Sequence, residues 1–223
     1  MLLDGLKNTI IITLGALLIG IVLGTAVAVI KFLAEEKPAL KPLAWLCNVY
    51  VTVVRGVPVV VLLLIFYFVI LRSADGIVTG IVAFGINSGA YMAEIIRGGI
   101  NAVDGGQTEA ARSLGFNRMA AMRFVVLPQA VKNILPAIGN EMIALLKETA
   151  VAGYVAVQDL TRAANLIRNN TYDALNPLLA TAIVYLTMVV LLTALLGKLE
   201  MRLRRRRCSN FPSSAVISTT SVR

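Results

Sequence analysis

The feature that most constrains the fold is a stretch of 22 residues, Thr9 to Ile30, that carries no charged side chain. As a helix rising about 1.5 Å per residue it would extend about 33 Å, and the hydrocarbon core of a bilayer is about 30 Å thick. Only 15% of the 223 residues are charged, against about 25% in globular domains, and the mean hydropathy is +0.81. These properties predict an all-α membrane protein.

Four further apolar runs are long enough to cross a bilayer, so we predict five transmembrane helices in one polytopic chain. The predicted spans are Thr9 to Ile30, about Val49 to Leu71, about Ile77 to Ile96, about Ile134 to Val157 and about Leu178 to Gly197. The first run could also be a secretory signal peptide, but the apolar cores of such peptides are usually about 7 to 15 residues long. We therefore favour an uncleaved helix.

The positive charges are divided unequally between the two sets of connections that alternate along such a chain. One set holds four lysines and arginines and the other holds fifteen. Lysine and arginine accumulate in cytoplasmic loops, so five spans place the N-terminus outside and the C-terminus inside. The net charge of +9 is therefore explained by the basic cytoplasmic loops of a membrane protein, and we expect no nucleic-acid partner.

The composition excludes several kinds of active site. No histidine occurs, which rules out a Ser-His-Asp triad and a histidine-ligated metal within the chain. Cys47 and Cys208 lack the spacing of a zinc or redox motif, and Gly197-Lys198 is followed by Leu199, so no phosphate-binding GxxxxGKS/T loop is present. We predict no catalytic residue, no metal site and no cofactor in this chain, and any ATP must bind another polypeptide.

Residues 1–207 are predicted to form one membrane domain. Residues 208–223 are rich in serine and threonine, lack an apolar period and are predicted to be a disordered cytoplasmic tail. No function is assigned to this tail.

The connection between the third and fourth spans, residues 104–131, has the pattern of two short helices joined by a turn; we call it the elbow. Residues 107–114 have the composition of a short amphipathic helix, which Gly115 would end because glycine readily adopts a left-handed conformation. A second helix is predicted from Asn117 to Val126, ending at Leu127-Pro128. A positively charged loop that only fixes topology is the alternative.

A specific motif lies within the elbow: Glu109-Ala110-Ala111, Gly115 after three intervening residues, and Leu127-Pro128 at the far end. This spacing resembles the EAA loop of ATP-binding-cassette (ABC) importer permeases, with Val125 where that family usually has Ile. Other stretches are similar to the polar amino-acid branch of these permeases, the histidine, glutamine and arginine type: residues 55–58, 91–100, 139–141 and 146–149, the last with Glu148 and Ala150 in place of the more usual Asp and Ser. The resemblance covers residues 5–200.

The resemblance implies a type I ABC importer permease, the transmembrane subunit of an ATP-driven importer that moves polar L-amino acids across the bacterial cytoplasmic membrane by alternating access. Such a subunit pairs with a second permease, identical or related, with cytoplasmic ATPase subunits that bind ATP and Mg, and with an extracytoplasmic solute-binding protein. In that family the elbow is the coupling helix that contacts the ATPase. The contact residues implied here are Glu109, Ala110, Ala111, Gly115, Leu127 and Pro128.

Ionisable groups inside the fourth predicted span are candidates for a substrate pathway, because each costs about 2.5 to 3.5 kcal/mol in a membrane helix. Glu141 and Glu148 lie seven residues apart on one helix face, with Lys147 about 100° away. That face either lines a hydrated path for a zwitterionic amino acid or holds an ion pair that neutralises itself.

The third predicted span carries a polar stripe of Asn87, Tyr91 and Glu94, with Arg97 spaced to pair with Glu94. Such a stripe serves either hydrogen bonding between helices or a pore lining. In the first span, Gly20 and Gly24 form a GxxxG motif that allows close helix packing, within the chain or with a second permease. An ion channel or passive pore without an ATPase partner explains the spans and stripes, but it leaves the EAA spacing to coincidence.

Overall fold

The computed structural model describes residues 1–208, with side chains as far as residue 202. All regular secondary structure in this part of the chain is helical, which confirms the all-α part of the prediction. The α-helices are α1 (Leu2–Glu36), α2 (Lys41–Gly56), α3 (Val59–Ile65), α4 (Gly76–Asn101), α5 (Gly105–Ser113), α6 (Arg118–Ala121), α7 (Leu127–Glu148), α8 (Leu160–Thr171) and α9 (Leu175–Cys208). Apart from Cys208, the predicted disordered tail lies outside the described residues.

Three of the described helices, α1, α4 and α9, are long and apolar enough to cross a bilayer, and they contain the first, third and fifth predicted spans. The fourth predicted span is only partly α-helical. Its helix, α7, ends at Glu148, where the Thr149 hydroxyl donates to the Leu146 carbonyl at 2.7 Å, and a 3₁₀ segment, Thr149–Val155, follows. Side-chain hydroxyls compete in this way with the backbone bonds that would extend a helix. The count of five spans stays a prediction.

The second predicted span is not one straight helix. Its two halves, Pro38–Gly56 and Val59–Ile70, meet at an angle of 108°. Val57 is extended, with φ −97° and ψ 132°, because the ring of the following Pro58 disfavours a helical residue before it. The structure therefore replaces a continuous second span with a bent pair that includes α2 and α3.

The bundle is centred on a close contact between α1 and α4, whose small residues let the two backbones approach. Gly20 and Gly24 of the GxxxG motif face α4: a Cβ at Gly20 would lie 2.8 Å from the Ser88 Oγ, and one at Gly24 would lie 2.8 Å from the Ala93 backbone nitrogen. The motif is therefore used within the chain. Fully buried Ile12, Ala16 and Phe84 belong to the core at this contact.

Replacing Gly24 by valine should destabilise the bundle, because the added carbons meet backbone as well as the Met92 side chain. Overpacking of this kind costs about 1–3 kcal/mol. We expect a lower thermal unfolding temperature in detergent, followed by tryptophan fluorescence. Gly197→Val in α9 is the matched control, because a Cβ there meets nothing within 4 Å. Equal unfolding temperatures for the two variants would contradict this account of the α1–α4 contact.

The connections gather at two opposite ends of the bundle. At one end, Arg118 of the elbow pairs with Glu35 near the end of α1. At the other, the start of α1 meets the start of α8: the Thr9 hydroxyl accepts from the Leu160 amide at 3.2 Å. Asp159 caps α8 by accepting from the amides of Thr161 and Arg162 at 2.9 and 3.1 Å. Burial nevertheless raises the pKa of the Asp159 carboxyl.

Candidate functional site

The first half of the elbow is a short, well-capped helix. The Asp104 carboxylate accepts from the Gly106 amide at 2.8 Å at the start of α5. At the other end, the Gly115 amide donates to the Arg112 carbonyl at 3.0 Å and the Phe116 amide donates to the Ala111 carbonyl at 3.2 Å. This pair of bonds is a Schellman motif, which requires a left-handed residue after the helix. Gly115 supplies it with φ +90°, so the predicted helix and its stop are confirmed.

The second half of the elbow begins where the Asn117 side chain accepts from the Ala120 amide at 2.8 Å. Its helix does not end at Leu127-Pro128, contrary to the prediction. A π-helical turn, Met122–Val126, joins α6 to α7, and Pro128 falls in the first turn of α7. A proline is tolerated there because its missing amide and its ring disturb a helix least in the first turn.

The motif residues of the elbow are presented at its surface. Glu109, Ala110, Gly115, Leu127 and Pro128 are exposed, whereas Ala111 is buried. Leu114, beside the turn, is 80% exposed. The elbow thus offers an apolar tip with an acidic side chain one helical turn away, a surface suited to docking in a groove of another protein.

Arg118 ties the elbow to the transmembrane bundle. It pairs with Glu35, lies 3.7 Å from a Glu36 carboxylate oxygen, and stacks its guanidinium 5.3 Å from the centre of the Phe32 ring. All three partners lie in the last two turns of α1. These contacts join the elbow to the end of α1, which packs along α4.

Glu141 and Glu148 lie on one face of α7, as their spacing predicted, and in the structure this face meets α4. The Ser88 hydroxyl donates to Glu141 at 2.9 Å, and the Asn87 amide donates to Glu148 at 3.3 Å. Both carboxylates are partly buried. Asn87 and Glu148 thereby form a polar pair between two helices within the predicted spans.

Lys147 lies apart from this pair. Its side chain is exposed, and no carboxylate of the described residues comes within ion-pair distance of it. The intramembrane ion pair considered from the sequence is therefore not formed in this structure. Glu141 and Glu148 are held by neutral hydrogen-bond donors, which leaves their charges available to a cationic group.

The polar stripe of α4 turns from α7 towards α1 and α2 at its other end. Glu94 accepts from Arg97 at 2.8 Å, which confirms the predicted pair, and lies 3.7 Å from Lys31 and 3.9 Å from Arg55. The Arg55 guanidinium stacks 5.0 Å from the centre of the Tyr91 ring. These residues line an open cavity of about 560 Å³, which we call the basic cavity.

A known protein family matches most of the chain. Residues 20–205 match the family described as the binding-protein-dependent transport system inner membrane component. The chain belongs to this family. The matched region includes the elbow, the polar pair between α4 and α7, and the basic cavity.

Individual members of the family are similar over nearly the whole chain. The arginine transport system permease protein ArtQ of Bacillus subtilis is 37% identical over 207 residues, covering 91% of this chain and 92% of ArtQ. A crystal structure of an amino acid ABC transporter with histidines has a TM-score of 0.84 at 41% identity, covering 90% of this chain and 93% of that one. The MetNI methionine ABC transporter in an inward-facing conformation has a TM-score of 0.78 at 22% identity and shares the fold, covering 91% of this chain and 96% of that one.

Four residues of the site were missed in the sequence. Ser88 adjoins Asn87, but a serine in a membrane helix carries little signal of its own. Lys31 was counted only as a topology charge, Arg55 only as a topology charge and as part of the resemblance at residues 55–58, and Arg118 only as an elbow charge. Their partners Glu94 and Glu35 are 39 to 83 residues away, so only the fold brings them together.

Proposed function

We propose that this chain is the membrane-spanning permease subunit of an ATP-driven importer for polar L-amino acids. The observation that carries the proposal is the elbow: a rigid helix with exposed EAA-motif residues, ended by the left-handed Gly115 and tied to α1 by Arg118. Membership of the family and the similarity to ArtQ and to a solved amino acid ABC transporter support the substrate class. The chain supplies the pathway, and a separate ATPase supplies the hydrolytic site.

The proposed topology is five spans in a bacterial cytoplasmic membrane, with the N-terminus outside and the C-terminus inside. The arrangement of the connections supports it: the elbow meets the end of α1 at Glu35, and the start of α1 meets Leu160. The first contact joins two of the basic connections at one end of the bundle, and the second joins the N-terminal segment to the sparsely charged connection that contains α8, as the charge rule would require. Residues 1–207 would form the single permease domain, with the remaining residues as a tail.

The proposed coupling begins at an ATPase groove that receives α5 and the turn after it. Glu109, Ala110 and Ala111 lie on this helix, with Gly115 at its end and Leu127 and Pro128 at the far side of the elbow. When the ATPases close on ATP, the elbow moves as a unit because both of its helices are capped. Arg118 passes that movement to α1 and so biases the bundle between outward and inward access.

The proposed substrate pathway follows the polar faces of α4 and α7. A zwitterionic amino acid presents an ammonium group that a carboxylate stabilises, and Glu141 and Glu148 offer two, held by Ser88 and Asn87. Lys147 lies at the exposed side of the same helix, and Tyr91 and Glu94 continue the polar face towards the elbow end. A second permease would close the pathway, and an extracytoplasmic solute-binding protein would deliver the amino acid.

The proposal is tested by what co-purifies with the chain. An affinity-tagged chain, expressed with the ATPase and solute-binding protein of the same transporter, should retain the ATPase through gentle detergent purification, and the preparation should hydrolyse ATP. Glu109→Lys reverses an exposed charge at the docking surface and should weaken ATPase binding by tenfold or more, since a like-charge contact costs several kcal/mol and about 1.4 kcal/mol is already tenfold.

The matched control is Glu200→Lys in α9, an exposed acidic residue outside the elbow. It should retain the ATPase as the unmodified chain does. Equal loss in both variants, or a well-folded chain that retains no ATPase in any detergent, would contradict the proposal.

A further inference from the structure

The basic cavity holds more positive charge than its one carboxylate can neutralise. Lys31 from α1, Arg55 from α2 and Arg97 from α4 surround Glu94, so the four groups carry a net charge of about +2 at neutral pH. Glu94 and Lys31 are each only 24% exposed, whereas Arg55 and Arg97 are 43% and 55% exposed. An excess of positive charge that includes a largely buried lysine is unfavourable unless an anion compensates it.

The geometry leaves donors free for such an anion. Only Arg97 is within hydrogen-bond distance of Glu94; Lys31 and Arg55 stand 3.7 and 3.9 Å away. Arg55 instead lies over the face of the Tyr91 ring, with its guanidinium carbon 5.0 Å from the ring centre. A guanidinium beside an ammonium can recognise a phosphate group, by two parallel hydrogen bonds and a point charge.

The α2 wall of the cavity adds neutral donors. Asn48, Thr52 and Arg55 follow one another at intervals of four and three residues, so they share one face of α2, and all three line the cavity. An amide, a hydroxyl and a guanidinium in a row can bind several oxygens of one tetrahedral anion. The cavity volume of about 560 Å³ also lies within the range of about 300–1,000 Å³ that is typical of small-ligand sites.

The depth of the cavity matches that of a phospholipid headgroup. Lys31 directly follows the uncharged run that ends at Ile30, and Glu94 lies two helical turns before the end of α4. Basic pockets between membrane helices at this level attract anionic headgroups. The cavity opens to the surface of the bundle, so a ligand can enter from the side or from the aqueous phase.

We propose that the basic cavity is a binding site for a phosphate group, provided by an anionic phospholipid or by free phosphate. It is separate from the polar pair of Asn87 and Glu148, which lies between α4 and α7 and not beside α1 and α2. Occupancy would hold α1, the bend after α2, and α4 together at the end of the bundle that carries the elbow. The site would thereby make the coupling movement sensitive to the anion.

Native mass spectrometry of the full chain in detergent tests the site without any ATPase, so its outcome is independent of the transport proposal. Phosphatidylglycerol and phosphatidylcholine with the same acyl chains are added separately, and retained lipid is counted. In a parallel arm, sodium phosphate is compared with sodium chloride at equal ionic strength by thermal shift. Preferential retention of phosphatidylglycerol identifies a lipid site, and a phosphate-dependent rise in unfolding temperature identifies a free-anion site.

Removing the cations and removing the carboxylate should change anion binding in opposite directions. Lys31→Gln with Arg55→Gln should reduce anion binding by about fivefold for each cation removed. Glu94→Gln should increase it, because the competing carboxylate is gone, whereas a purely structural ion-pair cluster would be weakened by all three changes. Arg112→Gln with Arg123→Gln removes two exposed cations from the elbow and is the matched control.

If the double variant does not fold, Arg97→Gln replaces it, since that side chain is 55% exposed. The proposal is overturned if the unmodified chain binds phosphatidylglycerol no better than phosphatidylcholine and shows no phosphate shift. It is equally overturned if the elbow control loses as much binding as the cavity variant.

Discussion

Replacing Gly115 by valine should lower ATP-driven amino-acid uptake about 5- to 30-fold while the chain remains inserted in the membrane. Gly115 has φ +90°, and a left-handed backbone costs a residue with a side chain about 1–2 kcal/mol, more for a β-branched one. The space around it is open, so the cost is in the backbone and not in packing. The elbow would then occupy its docking geometry in only a fraction of the molecules.

The measurement is uptake of a radiolabelled amino acid by vesicles containing the assembled transporter. Gly98→Val is the matched control, because its Cβ also meets nothing within 4 Å but its backbone is helical. Gly115→Asn should retain more uptake than Gly115→Val, since asparagine tolerates the left-handed region. Normal uptake by Gly115→Val would show that the elbow geometry does not limit coupling.

The second large effect is expected at Glu148, the partly buried carboxylate that accepts from Asn87 at 3.3 Å. Glu148→Gln keeps the size and the hydrogen bond but removes the charge. A hydrogen bond to a charged group contributes about 1.5–3 kcal/mol, so the loss of an ammonium contact corresponds to about a tenfold to hundredfold rise in the substrate concentration at half-maximal uptake. Glu148→Asp, the residue more usual in this branch of permeases, should retain most of the uptake.

Glu200→Gln provides the control for Glu148, because it removes an exposed carboxylate from α9. ATPase association and unfolding temperature are followed in all variants, which separates a folding defect from a pathway defect. If Glu148→Gln takes up the amino acid with unchanged half-maximal concentration, Glu148 has only a structural role between α4 and α7.

The elbow was the part of the molecule most readily predicted from the sequence. Its signals are local: small residues and a Gly115 whose left-handed conformation needs no distant contact. The error at Leu127-Pro128 is also local in origin. Proline was taken to end a helix, whereas in the first turn of α7 it begins one.

The broken second span could not be placed from hydropathy alone. Arg55 and Pro58 interrupt the second apolar run, but hydropathy does not give the 108° angle at which its two halves meet at the extended Val57. In the same way, Thr149 ended α7 earlier than the apolar run did. Apolar length predicts that a segment lies in the membrane, but local hydrogen bonds decide where its helix stops.

The sequence identified polar residues of the bundle one by one, but it did not identify the side chains that they contact. The separation of seven residues between Glu141 and Glu148 correctly predicted that they lie on one face of the helix. The spacing does not reveal that this face meets Ser88 and Asn87, or that Glu94 collects three cations. Those contacts join residues far apart in sequence, and a single sequence carries no signal for such pairs.

The central claim is that ATP binding and hydrolysis by a separate subunit drive an amino acid through this chain. The most direct measurement reconstitutes the chain in vesicles with its ATPase and solute-binding protein and follows radiolabelled arginine, glutamine or histidine with and without ATP. The account predicts uptake that requires both ATP and the binding protein and that accumulates the amino acid against its gradient. Equilibration without ATP, at a rate unaffected by the ATPase, would instead identify a passive pore.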